Sequence, residues 1–288
     1  MNKELPQFLC IGAQKAATSW LNETLKHHPQ IWLPPVKELH YFDHKFVQKN
    51  RSWTQSHIES GVKQVLYWYC KNMGDKSDFS LEYIRYLMQY CDESIFTEDW
   101  YIDLFQKRNG EGLVKGDITP EYSTIPEEGV EYVQSLLGND LKVIYIVRDP
   151  VSRAVSQLKM HIDRSNTNVD EFTEEEWLSL LDSQIDVIKN RGDYKTYIPR
   201  WRAKFKDNLM LIPYKQISNE PTVTINSICS FLNIKENAID KNLLSNRVHK
   251  TKSVQIPKLV YSYLEKQLKD QIDFINEDFD SNDIKYIL

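Results

Sequence analysis

The sequence predicts an α/β fold of three layers, a central, mainly parallel sheet flanked by helices, and three observations carry that expectation. An apolar run at residues 8–11 breaks into a turn of small residues and then a helical pattern. Further short apolar runs at 113–115, 141–147 and 209–213 are separated by helical stretches, as in strand–helix–strand units. The chain has 288 residues, 41% hydrophobic and 27% charged with only nine glycines, enough for an ordinary core and unlike a disordered or fibrous polymer.

In chain order, the strand at 8–11 leads to a helix over 17–27, stopped by Pro29, and a short strand at 31–33, read together as a βαβ unit. Residues 43–110 change character to aromatic, polar helical patterning, with Trp53, Tyr67, Trp68, Tyr69, Tyr83, Tyr86, Tyr90, Trp100 and Tyr101. This stretch reads as a helical insertion over the crevice, a substrate lid. Any one of these rings has packing as its simplest role, but as a group they suit a carbohydrate-facing surface. The runs at 113–115 and 141–147 read as buried strands, and Pro150 suits the first turn of the next helix. Thr173 and Glu176 form a capping box for a helix to about residue 190, which makes the acidic run 174–176 a helix start and not a metal site. A strand at 209–213 and helices at 221–232 and 257–275 complete one domain over residues 1–288, without repeat or linker.

The chemistry concentrates in the first turn, Gly12-Ala13-Gln14-Lys15-Ala16-Ala17-Thr18-Ser19-Trp20. Such a turn aims backbone N–H groups and a helix N-terminus at an anion, Lys15 adds a movable charge, and Thr18 and Ser19 add short donors. The nucleotide-kinase pattern needs glycine before the lysine and a hydroxyl after it; both neighbours of Lys15 are alanine. The strand at 141–147 ends in Arg148-Asp149-Pro150, where a kinase carries a metal-binding acid. An arginine there favours a second anion in the same crevice, unless it only pairs with Asp149. The implied ligand has two separated anionic groups and no obligatory metal.

Composition limits the partners. A net charge of −5 and a pI near 5.9 give no general attraction to nucleic acid or anionic glycans, so local basic clusters must bind any anion. Cys10, Cys70, Cys91 and Cys229 lack the paired spacing of a disulfide frame or zinc site. No apolar run approaches the ~18 residues of a membrane span, and the N-terminus carries no signal segment, so a cytoplasmic enzyme without membrane insertion is expected.

The pair formed by Gly12 to Ser19 and Arg148 to Ser156 resembles the two cofactor motifs of sulfotransferases, P-loop-type enzymes that use 3′-phosphoadenosine 5′-phosphosulfate, PAPS, and release adenosine 3′,5′-bisphosphate. The resemblance implies that Gly12, Gln14, Lys15, Ala16, Ala17, Thr18, Ser19 and Trp20 wrap the 5′-phosphosulfate. It also implies that Arg148 and Ser156, with the family's eight-residue spacing, hold the 3′-phosphate. Further similarity lies in Lys37-Glu38-Leu39-His40-Tyr41-Phe42-Asp43, in Gly116-Asp117-Ile118-Thr119-Pro120-Glu121-Tyr122, in Arg191-Gly192-Asp193-Tyr194 and in residues 221–232, so it spans nearly the whole chain.

The glycan-type members carry a glutamate followed by histidine and a phenylalanine–aspartate pair, as in Glu38, His40, Phe42 and Asp43. Glu38 is therefore the candidate general base and Lys15 the cation at the leaving oxygen; His40 is the second candidate base, with a packed core histidine as its plain alternative. Asp43 orients a base or substrate hydroxyl, or caps a helix. Asp117, Thr119 and Tyr122 are expected on the acceptor side, although Thr119-Pro120 also suits a plain turn. Arg247, Lys250 and Lys252 fall where the family carries a loop over the cofactor. The leading expectation is an O-sulfotransferase acting on a small-molecule or glycan hydroxyl. A nucleotide-dependent kinase fits the loop less well, and a non-catalytic nucleotide-binding protein would have no need of Glu38.

Overall fold

The computed structural model describes residues 5–74, 79–106, 112–244 and 254–288. Five strands, β1 (Phe8–Gly12), β2 (Ile31–Trp32), β3 (Val114–Ile118), β4 (Lys142–Val147) and β5 (Leu209–Pro213), form one sheet in the order β2-β3-β1-β4-β5, every pairing parallel. The first helices are α1 (Thr18–Leu25), α2 (Tyr41–Phe46), α3 (Arg51–Lys71), α4 (Leu81–Met88) and α5 (Glu98–Phe105). Those after β3 are α6 (Glu127–Leu137), α7 (Pro150–Ser165), α8 (Glu174–Arg191) and α9 (Tyr194–Phe205). After β5 come α10 (Tyr214–Asn219), α11 (Pro221–Phe231), α12 (Lys241–Leu244), α13 (Lys258–Gln267), α14 (Lys269–Asp278) and α15 (Ser281–Ile287).

The central strands are apolar along their length because both faces of a parallel sheet are covered. Every residue of β1 is buried, and β4 is buried from Val143 onward. One core surrounds the sheet; a smaller one, with Val151, Leu158, Trp177, Leu181 and Leu264, joins α7, α8 and α13.

The first βαβ unit forms with a strand inserted into it: β2 runs parallel to β1 in the same sheet but pairs with β3. The expected strand at 113–115 extends through Gly116 and Asp117, residues that ordinarily weaken strands. Gly116 is required there: a Cβ would sit 2.1 Å from the Phe8 ring on the neighbouring strand. The single expected helix over 257–275 is two, broken at buried Leu268, so that α13 packs on α7 and α8 while α14 reaches α9. Helix α9 went unforeseen because it holds Pro199 and a dense basic pattern; buried Tyr194, Tyr197, Ile198 and Trp201 hold it to the core. The capping box of α8 forms as expected, Thr173 Oγ1 accepting from Glu176 N and Glu176 Oε2 from Thr173 N.

Candidate active site

The chain leaves β1 to one side of the sheet and β4 lies on the other, so the loop after β1 opens at a topological switch point, where parallel sheets bind ligands. Gly12 starts that loop because a Cβ there would meet the Tyr145 ring at 2.6 Å. Lys15 and Ala17 take left-handed dihedrals, φ 67° and 64°, and α1 begins without any side-chain cap. Its first N–H groups are thus left for an anion. Arg148, at the end of β4, donates from Nη1 to the Lys15 carbonyl at 2.7 Å and stacks over Tyr214, 4.3 Å from the ring centroid. Its Nε is buried without a hydrogen-bond partner among the described residues. Ser156 lies half-buried on α7, which starts just after Arg148. Burial, followed by the neighbouring charges of Arg164 and Arg148, pulls the Lys15 ammonium below its usual range.

A second group of residues closes on this loop from the segment after β2. Glu38 and His40 are both left-handed, at φ 64° and 53°, an uncommon state for side chains of this size. Lys37 Nζ donates to Ser19 Oγ at 3.2 Å and to Glu38 Oε1 at 2.6 Å. The other carboxylate oxygen, Oε2, faces His40 Nε2 at 3.7 Å and His57 Nε2, from α3, at 4.0 Å. His40 Nδ1 lies 3.1 Å from both oxygens of buried Asp43, which also accepts from Asn50 Nδ2 at 2.9 Å. Trp53 and His57 both meet the His40 ring edge-on, with centroids 4.7 Å away.

Burial would raise the Glu38 carboxyl, but Lys37 and then His40 outweigh it and hold the group well below the usual carboxylate range. For His40, burial opposes charge, yet Asp43 and Glu38 together push it up to about 10. At neutral pH the pair is a carboxylate facing an imidazolium. His57, cooled by burial and by the charge of His40, is shifted down.

Some expected site residues lie elsewhere. Asp117, Thr119 and Tyr122 are buried and bonded to one another: Thr119 Oγ1 and Tyr122 Oη donate to Asp117 at 2.7 and 2.8 Å. They do not line an open acceptor surface. Tyr122 Oη instead accepts from the Tyr41 backbone N–H at 3.2 Å, so the cluster supports the start of α2 from beneath. Burial pushes the Asp117 carboxyl up to about 6 despite its hydroxyl donors. Asp43 is also fully buried and orients His40, with no access to a substrate. The Trp20 indole turns inward to donate to the Leu244 carbonyl at 3.0 Å, which ties down α12 and withdraws the ring from the anion loop. Arg247, Lys250 and Lys252 lie outside the described residues.

Of the aromatic residues between 43 and 110, Tyr86, Tyr90, Trp100 and Tyr101 are buried in the packing of the helices, while Tyr67 and Trp68 are exposed. Trp53 meets the His40 ring. The expected carbohydrate-facing group is thus divided: four of its nine rings are buried, where flat rings gain from core packing, and Trp53, Tyr69 and Tyr83 are only partly covered.

Sequence reasoning assigned no role to Lys37, His57 or the buried Glu121. Lys37 stood in the quoted motif beside Glu38, and Trp53 with His57 has the four-residue spacing of one helix face. Glu121 accepts from Arg191 Nε at 3.1 Å and Gln14 Nε2 at 3.4 Å, pinning the anion loop to the end of α8.

The family model described as "Sulfotransferase family" matches residues 6–237. Human heparan sulfate glucosamine 3-O-sulfotransferase 3B1 is 23% identical over 251 residues, 85% of this chain and 50% of that protein. The membrane-associated sulfotransferase kil1 of Dictyostelium discoideum is 24% identical over 64% of this chain and 29% of its own length. This chain therefore spans about half or less of the curated relatives it matches. A sulfotransferase structure from Alicyclobacillus acidocaldarius superposes with a TM-score of 0.63 at 20% identity, covering 97% of this chain and 98% of that one. The sulfotransferase domain of the Synechococcus PCC 7002 olefin synthase gives 0.53 at 16% identity, covering 93% and 97%. Among the described residues no helix is long and apolar enough to cross a membrane. With the family model matched over residues 6–237, this chain belongs to the sulfotransferase family.

Proposed function

We propose that this protein moves a sulfuryl group from PAPS to a hydroxyl of a carbohydrate or another polar acceptor, with Glu38 as the general base. The observation that carries this reading is the Lys37 bridge, which touches Ser19 of the anion loop and Glu38 at once. A carboxylate able to take a proton is thereby held against the loop suited to a phosphosulfate. The donor's two anionic ends fit the chain: an uncapped α1 and Lys15 for one, the unpartnered Arg148 Nε with Ser156 nearby for the other.

The donor supplies an activated sulfuryl group, whose bond to the 5′-phosphate oxygen breaks as the acceptor oxygen bonds to sulfur. Glu38 takes the hydroxyl proton, and Lys15 sets its charge beside the leaving oxygen. His40, charged and bonded to Asp43, is a poor proton acceptor and acts as a positioning residue for Glu38. A human relative whose name specifies a heparan sulfate glucosamine supports a sugar hydroxyl as the acceptor class. A cytoplasmic setting is part of the proposal. Radiolabelled PAPS offered with a panel of hydroxylated glycans and metabolites tests the reading: labelled product and equal release of adenosine 3′,5′-bisphosphate are expected. ATP turnover without sulfuryl transfer would overturn it.

A further inference from the structure

The imidazole edge of His40 that faces Glu38 has unusual surroundings. His40 is 2% exposed, and its Nε2 has no hydrogen-bond partner among the described residues. The Glu38 carboxylate that it faces stands at 3.7 Å, beyond hydrogen-bond length, which leaves the nitrogen available to a closer partner. Around it stand Glu38 Oε2 at 3.7 Å and His57 Nε2, with all three atoms within 4.8 Å of one another.

From these atoms we infer a divalent zinc site, Glu38 Oε2, His40 Nε2 and His57 Nε2, whose occupancy withdraws the base and halts transfer. Two histidines and one carboxylate are a known zinc donor set that leaves a fourth position for water. With bonds of about 2.0–2.2 Å, tetrahedral ligand atoms lie roughly 3.3–3.6 Å apart, so the two contacts of Glu38, at 3.7 and 4.0 Å, need small shifts, while the two histidine nitrogens, within 4.8 Å of each other, need shifts of up to about 1 Å or slightly more. The His57 side chain, 35% exposed on α3, has the freedom to make them and marks the entry path.

The supporting contacts suit a metal as well. Ligating histidines ordinarily give their other ring N–H to a carboxylate or a backbone carbonyl. His40 Nδ1 has the Asp43 carboxylate at 3.1 Å, itself fixed by Asn50. Lys37 holds Glu38 by Oε1 and leaves Oε2 to the ion. Zinc and a proton compete for His40 Nε2, so binding releases protons. With Lys37 on Oε1 and zinc on Oε2, the Glu38 carboxylate loses the basicity that takes an acceptor proton. That consequence rests on the reading of Glu38 as base; the site itself does not.

Calorimetry with zinc chloride on the chelator-treated protein, alongside the visible spectrum of its cobalt(II) complex, tests the site without any turnover. One ion per chain is expected, with cobalt bands of nitrogen and oxygen ligation and no thiolate charge-transfer band. His57→Ala, a half-exposed change on a helix, should weaken zinc by at least 10-fold, and Asn50→Ala, behind Asp43, by a smaller factor. Cys70→Ser should change nothing. An unaltered affinity in His57→Ala, or a thiolate band, would overturn the site. Zinc bound by these ligands with full transfer activity would keep the site and overturn its inhibitory role together with the assignment of Glu38.

Discussion

The Arg148 guanidinium donates to the backbone carbonyl of Lys15 at 2.7 Å, joining residues 133 positions apart. The strand that ends at Arg148 thus clasps the loop that carries Lys15.

Arg148, as the proposed partner of the 3′-phosphate, should act selectively on ligands that carry one. Arg148→Ala should weaken adenosine 3′,5′-bisphosphate by about 1.5–3 kcal/mol, the usual worth of hydrogen bonds to a charged group, and leave AMP nearly unaffected. Calorimetry on both nucleotides decides it; equal losses would place the 3′-phosphate elsewhere.

The base and the anion loop should separate in kinetics. Glu38→Gln should keep near-normal binding of adenosine 3′,5′-bisphosphate while turnover falls roughly 10²-fold or more, the scale of general-base removal. Lys15→Ala should damage both quantities. Normal turnover in Glu38→Gln with a dead His40→Ala would transfer the role to His40.

Asp117 should leave a mark on stability against pH. Its folded pKa, about 6, exceeds its ordinary 3.8, so the fold retains a proton that the unfolded chain has lost. Stability therefore falls as pH rises through that window. Asp117→Asn brings two amide N–H donors against the hydroxyls of Tyr101, Thr119 and Tyr122, where the protonated acid has one donor, and should be less stable than the wild type near pH 4. Its deficit should shrink by of order 2–3 kcal/mol by pH 7. Urea melts of both proteins across the range would show a constant gap if the proposal about Asp117 is wrong.

Gly116 should tolerate no side chain. A Cβ would stand 2.1–2.6 Å from Phe8 ring atoms in the middle of the sheet. Gly116→Ala should cost at least about 1–3 kcal/mol, as overpacked cores do. Thermal unfolding reads this as a fall of several degrees; an unchanged midpoint would mean that β1 and β3 separate freely.

Local patterns made much of this protein legible. The anion loop, β4 ending in Arg148, the α8 capping box and β5 each depend on a short stretch whose periodicity or turn chemistry is self-contained. Gly116 and Asp117 misled at the end of β3, because what permits them there, the Phe8 ring and three hydroxyl donors, comes from other parts of the chain.

The fold class, the small-residue turn after β1 and the motif around Glu38 were legible from the residues alone, since apolar periodicity, small residues and nearby charges act within a few positions. Tertiary structure alone decided that β2 sits beyond β3, that Asp117, Thr119 and Tyr122 turn inward, and that Lys37 joins Ser19 to Glu38. It also brought His57 from α3 to the carboxylate. Those choices depend on which buried polar groups find partners across the crevice, and a side chain's partner in space is not written in its neighbours along the chain.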